Sequence, residues 1–157
     1  MKKILYLHGL ESSPGGEKVE FLSQKSIIHA PAIDYKDPKV FDHFFSIMVN
    51  AQPDIIIGSS MGGYLGYILG NLFSKQTILF NPALHSRTFE PSIPLFDFKK
   101  HPIEPIIILG EEDKIIDFKT TIKHLNGKSL GAIIETYKGG HRVPFNVFTD
   151  IYNKYYG

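Results

Sequence analysis

The sequence predicts an α/β domain: about six mostly parallel strands in one sheet, with helices covering both faces. Two observations carry that expectation. Short apolar runs alternate along the chain with segments of helical period. The runs Ile55-Ile56-Ile57 and Ile106-Ile107-Ile108 have no polar alternation, as strands buried on both faces require. At 157 residues the chain makes one domain, 1–157, large enough to bury roughly two-thirds of its unfolded surface.

The apolar runs place strands at 3–8, 26–30, 54–59, 76–81, 106–110 and 132–137. Helices are expected at about 16–24, 39–50, 61–73, 118–125 and 146–155, with Asn126-Gly127 stopping the fourth. One stretch breaks the rhythm. Residues 82–104 hold Pro82, Pro91, Pro94 and Pro102 and show neither period. Loops of that length are uncommon in compact domains unless they act as lids or binding walls. Phe89, Leu95, Phe96 and Phe98 suggest that this one packs as a lid or substrate wall.

Composition excludes several classes of function. Hydrophobic residues make up 43% of the chain, too many for a disordered segment. There is no cysteine, which removes disulfides, thiolate metal sites and a cysteine nucleophile. A formal net charge of +1 gives no reason to expect a nucleic-acid partner. The apolar run from Ile4 to Leu7 is far shorter than the roughly 20 residues of a membrane span and too short for a signal-peptide core. The expected address is the cytoplasm, with no membrane partner.

Gly58-Ser59-Ser60-Met61-Gly62 matches the pattern G-x-S-x-G. Alone it is weak, since chance supplies such a match about one time in twenty at ordinary glycine and serine usage. Gly127-Lys128-Ser129-Leu130-Gly131 fits it too. Context separates the two. A nucleophile elbow needs a strand, a sharp turn and then a helix. Ser60 follows an apolar strand and opens a helix; Ser129 follows a helix and precedes a strand. Gly62, Gly66 and Gly70 recur at helical spacing, which suits a helix lying very close to the sheet.

A serine hydroxyl needs a base to take its proton, and histidine suits the task near neutral pH. His141 follows the last strand and two glycines, where the chain can turn toward the elbow. His85 ranks second and His101 third, while His29, His43 and His124 fall on strand or helix positions. The acid comes from the turn Glu111-Glu112-Asp113 after the fifth strand or from Asp117. Asp113 is preferred; Asp117 is the runner-up and could instead cap the next helix. Oxyanion donors are expected from the N–H of Met61, after the nucleophile, and of Leu10, after the first strand. His8 is expected to order that loop. The order Ser60, Asp113, His141 is that of α/β-hydrolases.

With these residues placed, the chain resembles the YqiA-like small esterases of the α/β-hydrolase superfamily. Tyr6-Leu7-His8-Gly9-Leu10-Glu11-Ser12-Ser13-Pro14 is similar to that family's opening signature, and Ile57 to Tyr64 to its elbow. The Asp113 turn and His141 loop match in order and approximate spacing. Gly140 stands where the family often has an acidic residue, and Leu10 where it often has phenylalanine. The resemblance implies a minimal α/β-hydrolase fold lacking the first two strands of the full-length form. It also implies hydrolysis of a small-molecule carboxylester or thioester without a cofactor. The alternative function is a non-catalytic protein of this fold that holds a small apolar ligand. A P-loop has no support, because Gly58–Gly63 lacks the Lys-Ser/Thr ending. Metal binding has none either, because the histidines lack ligand spacing.

Overall fold

The computed structural model describes residues 1–94, 96–97 and 99–157. The elements run β1 (Lys3–Leu7), α1 (Glu17–Ser23), β2 (Ile27–His29), α2 (Val40–Ala51), β3 (Ile55–Ser59), α3 (Met61–Phe73), β4 (Gln76–Phe80), β5 (Ile106–Gly110), α4 (Phe118–Gly127), β6 (Ile133–Tyr137) and α5 (Phe145–Tyr156). The six strands form one sheet in the order β2-β1-β3-β4-β5-β6, and each pairing is parallel.

Alternation along the strands sorts side chains between two cores. Ile4, Tyr6, Ile55, Ile57, Ile78, Phe80, Ile106 and Ile108 face α1 and α5, where they meet Leu22, Phe148 and Tyr152. Leu5, Leu7 and Ile56 face α2 and α3, packing on Phe44, Met48 and Leu65. Further along that face, Leu79, Ile107 and Leu109 meet Tyr67 and, from α4, Leu125. Each buried Ile or Leu contributes roughly 1.5–3 kcal/mol, so the unalternating central strands contribute heavily to both cores.

The register matters for function. Leu7 pairs with Gly58, Ser59 with Phe80, and Gly110 with Tyr137. The strands therefore end together, and the loops that follow β1, β3, β4, β5 and β6 gather along one edge. The chain leaves β1 for β2 on one side and returns with β3 on the other. Ligands bind at such a switch point in open α/β sheets.

The small-residue stripe of α3 is explained by close approach. A Cβ built on Gly62 would sit 2.1 Å from the Leu7 carbonyl oxygen, and one on Gly70 2.4 Å from Thr77 Cγ2. The first neighbour is backbone and cannot yield. Gly62→Ala is expected to lose several kcal/mol of stability in thermal unfolding (about 3 or more). Gly127→Ala, with open space around it, should be neutral or slightly stabilising.

Two expectations are refined. The fourth helix does not stop at Asn126-Gly127 but runs through Gly127, with Lys128 as its C-cap. The reversal falls on Ser129, at φ 52°, where Leu130 N–H closes onto Leu125 O at 3.0 Å. Within 82–104, Phe89 and Ile93 pack against the α2–α3 core, and Phe96 is half-buried. Leu95 and Phe98 lie outside the described residues. Arg87 ties this segment down: Nη1 donates to Ala83 O and Leu84 O, Nε donates to Glu90, and the guanidinium lies 3.9 Å over the Tyr64 ring.

Farther along the same segment, His101 is buried at 5% exposure against Tyr67, ring centroids 4.3 Å apart. Burial pushes its pKa down to about 4. Unfolding restores a value near 6.5, so the unfolded chain binds the extra proton first as pH falls. Stability should therefore drop between about pH 6.5 and pH 4, by up to roughly 3 kcal/mol from this group. Urea titrations of wild type and His101→Phe across that window check it: the variant should lose that part of the slope.

Candidate active site

Ser60 sits between β3 and α3 with φ 56° and ψ −115°, a conformation that L-residues seldom adopt. Such backbone costs about 1–3 kcal/mol and persists only when its surroundings over-determine it. Here they do. Ser60 N–H donates to Phe80 O at 3.0 Å, and its carbonyl accepts from Tyr64 N at 3.1 Å and Ala83 N at 3.0 Å. The flanking glycine has a matching cause: a Cβ on Gly58 would lie 2.4 Å from the Gly62 carbonyl oxygen.

His141, on the loop after β6, reaches this serine. Its Nε2 is 2.9 Å from Ser60 Oγ, and its Nδ1 is 2.7 Å from Asp113 Oδ2. Asp113 is fixed by the turn after β5. Its side chain is fully buried, and Oδ1 accepts from Ile115 N at 2.8 Å and Ile116 N at 2.9 Å. A buried carboxylate facing Nδ1 accepts a hydrogen bond from that nitrogen's N–H, which leaves Nε2 an acceptor for the serine hydroxyl. The three side chains form one continuous hydrogen-bonded row.

The other candidates have different partners. Asp117 caps α4, with Oδ2 accepting from Thr120 N at 2.9 Å and Thr120 Oγ1 at 2.7 Å, bonds that hold its carboxyl below the ordinary range. Glu111 accepts from Thr136 Oγ1, and Glu112 is exposed. His85 lies 6.3 Å from His124 rather than at Ser60, and His101 packs on Tyr67. Ser129 sits in the α4–β6 turn.

His8 orders the loop after β1, as its position suggested. Its Nε2 accepts from Ile33 N at 2.9 Å, so the ring is neutral with its proton on Nδ1, which donates to Gly9 O at 2.7 Å. Tyr35 Oη donates to His8 O at 2.5 Å, and burial pushes that phenol's pKa up, keeping it a donor. The loop so held passes directly beside Ser60, since a Cβ on Gly9 would stand 3.6 Å from Ser60 Cβ. Leu10 follows it on the wall of a cleft of about 450 Å³ that also takes in Tyr6, Glu11, Lys18, Ser60, Thr88 and His141. Met61 is the first residue of α3, so its N–H is among those a helix leaves unpaired. A second hollow, of about 490 Å³, lies between β2 and α2 against His29 and His43, away from Ser60.

One residue of the site escaped sequence reasoning. Asn81, wholly buried at the end of β4 with φ 44°, accepts from Gly110 N at 2.7 Å through Oδ1. Its Nδ2 donates to Tyr137 Oη at 2.7 Å and to His141 O at 2.9 Å. It joins the ends of β4, β5 and the His141 loop. The only hint was an Asn-Pro step after a strand. Asn81→Ala strands the buried Gly110 N–H, at about 1–3 kcal/mol, and frees the His141 backbone. In a hydrolase built on the row Ser60–His141–Asp113, its expected signature is a kcat about ten-fold lower with KM little changed, read from steady-state kinetics.

Among the described residues no group of three or more His, Asp or Glu side chains could hold a metal ion, and no helix is long and apolar enough to cross a membrane. The pattern of the uncharacterised protein family UPF0227, the YqiA family, matches residues 3–95, from β1 past the elbow and into the long loop. The chain belongs to that family. The match to UPF0227 includes Gly9, Leu10, Ser60 and Met61 and ends before Asp113 and His141. Solved structures place the UPF0227 chain in the α/β-hydrolase fold. A proposed hydrolase of the α/β superfamily from Xanthomonas campestris superposes with a TM-score of 0.72 at 18% identity, over 98% of this chain and 99% of its own. Est1E of Butyrivibrio proteoclasticus, solved with ferulic acid bound, gives 0.73 at 13% identity, over 99% and 88%. A monoacylglycerol lipase of Paleococcus ferrophilus gives 0.73 at 12% identity, over 97% and 93%.

Proposed function

We propose that this UPF0227 protein is a serine hydrolase that cleaves a small carboxylester or thioester through an acyl-enzyme on Ser60. The observation that carries the proposal is the row Ser60–His141–Asp113, with contacts of 2.9 and 2.7 Å, at the switch point of a parallel sheet. Ser60 Oγ attacks the carbonyl while His141 Nε2 takes its proton, and Asp113 stabilises the imidazolium. The tetrahedral oxyanion is received by the N–H groups of Met61 and Leu10. The intermediate collapses, and His141 hands its proton to the departing alcohol or thiol. Water, deprotonated by His141, then attacks the acyl-enzyme; the carboxylic acid leaves and Ser60 regains its hydrogen.

The role of the long loop belongs to the same proposal. The stretch pinned by Arg87 serves as a fixed substrate wall, presenting Thr88 to the cleft, rather than as a swinging lid. A cytoplasmic address does too, checked by fractionating cells that express a tagged copy. A fluorophosphonate probe tests the chemistry. The folded protein should be labelled once, at Ser60 by peptide mass spectrometry, and should turn over at least one member of an ester and thioester panel. Saturable ligand binding without labelling or turnover would replace the proposal with a binding function.

A further inference from the structure

Two cations line the cleft on the side of the His141 loop. Arg142 follows His141 directly. Lys18 comes from α1, which packs on α5 through Phe21 against Phe145, Phe148 and Tyr152, and its Nζ lies 5.7 Å over the Phe148 ring. Since α5 begins just after the His141 loop, both charges belong to one rim. Neither forms an ion pair among the described residues, where the ion pairs are Arg87–Glu90, His141–Asp113 and Lys154–Glu135. Glu11, the carboxylate of the cleft, comes instead from the oxyanion loop after β1.

A half-buried ammonium without a carboxylate partner is costly. Burial pushes the Lys18 pKa down, Glu17 on its own helix opposes that, and Arg142 adds like-charge repulsion. With the whole chain at only +1, this local pair is a concentration of charge and not a reflection of the total. An anion bound between the two side chains would offset both the burial of the ammonium and its repulsion from Arg142.

The chemistry says which part of a substrate lies there. His141 Nε2 must protonate the leaving group, so the leaving group departs along the His141 rim, while the carbonyl oxygen points toward Met61 and Leu10. Resting on the hydrolase function proposed above, we infer that the preferred substrate carries an anionic group, carboxylate or phosphate, on its leaving alcohol or thiol, bound between Lys18 and Arg142.

Matched butanoate esters test this: those of 4-hydroxybenzoate, 4-hydroxyphenyl phosphate and neutral methyl 4-hydroxybenzoate, with each rate divided by its hydroxide-catalysed rate. Wild type should favour one or both anionic esters in kcat/KM. Lys18→Met and Arg142→Gln should each cut that preference about ten-fold, the lower end for a charged hydrogen bond. A preference for only one anionic ester identifies carboxylate or phosphate as the group bound. A preference equal in wild type and both variants overturns the inference. So does discrimination that appears only between 4-nitrophenyl butanoate and 4-nitrophenyl hydrogen glutarate, whose charge lies on the acyl side. Failure of the hydrolase proposal reads differently, as no fluorophosphonate labelling and no turnover of any ester.

Discussion

Ser60→Ala and His141→Ala should each lower kcat for an ester by roughly 10³–10⁶-fold, and the double variant should be no worse than the poorer single one. In the proposed mechanism the hydroxyl and the imidazole act as one unit. Without the base, Ser60 Oγ keeps its proton; without the hydroxyl, His141 has only water to activate. In that mechanism the residual rate reports what the proposed Met61 and Leu10 donors and substrate binding supply by themselves. Neither change should unfold the protein, because Ser60 is held through its backbone and His141 is partly exposed. Steady-state kinetics on the three variants, beside their thermal melts, make the check. A double variant with multiplicative losses would mean that the two side chains act independently, contrary to their 2.9 Å contact.

Asp113→Asn should be nearly as damaging, about 10⁴-fold in kcat, with stability largely kept. The direction follows from the hydrogen bonds. Oδ1 accepts from the N–H groups of Ile115 and Ile116, so an asparagine must keep its oxygen there. Its NH₂ then faces His141 Nδ1 and needs an acceptor. The imidazole moves its proton to Nε2 and can no longer take one from Ser60. Fluorophosphonate labelling should slow in proportion, whereas Asp117→Asn, altering a helix cap, should leave the labelling rate within about two-fold. Equal losses in the two variants would return the acid to an open question.

Most of the sheet was legible in the sequence. The runs at 55–57 and 106–108 gave fully buried strands, and edge strands β2 and β6 carry the more exposed patterns their mixed composition implies. Helix ends were less legible. α4 ignored Asn126-Gly127 because backbone closure from Leu130 to Leu125 set its reversal two residues later. The fixed part of the long loop was invisible, since Arg87 gains its meaning only from Ala83, Leu84, Glu90 and Tyr64 around it.

Local chain order was enough to select Ser60 over Ser129, because an elbow is a strand–turn–helix event within a few neighbouring residues. It was enough, too, to put an imidazole at a strand end, because a parallel sheet brings all such ends to one side. It preferred Asp113 over Asp117 without separating them fully: both follow β5 in one short turn, and the amides of Ile115 and Ile116 hold the carboxylate that faces His141. Asn81 beneath the histidine loop, and Lys18 beside Arg142, were decided by packing alone. Side chains far apart along the chain acquire a shared purpose only when strand register and helix docking set them side by side.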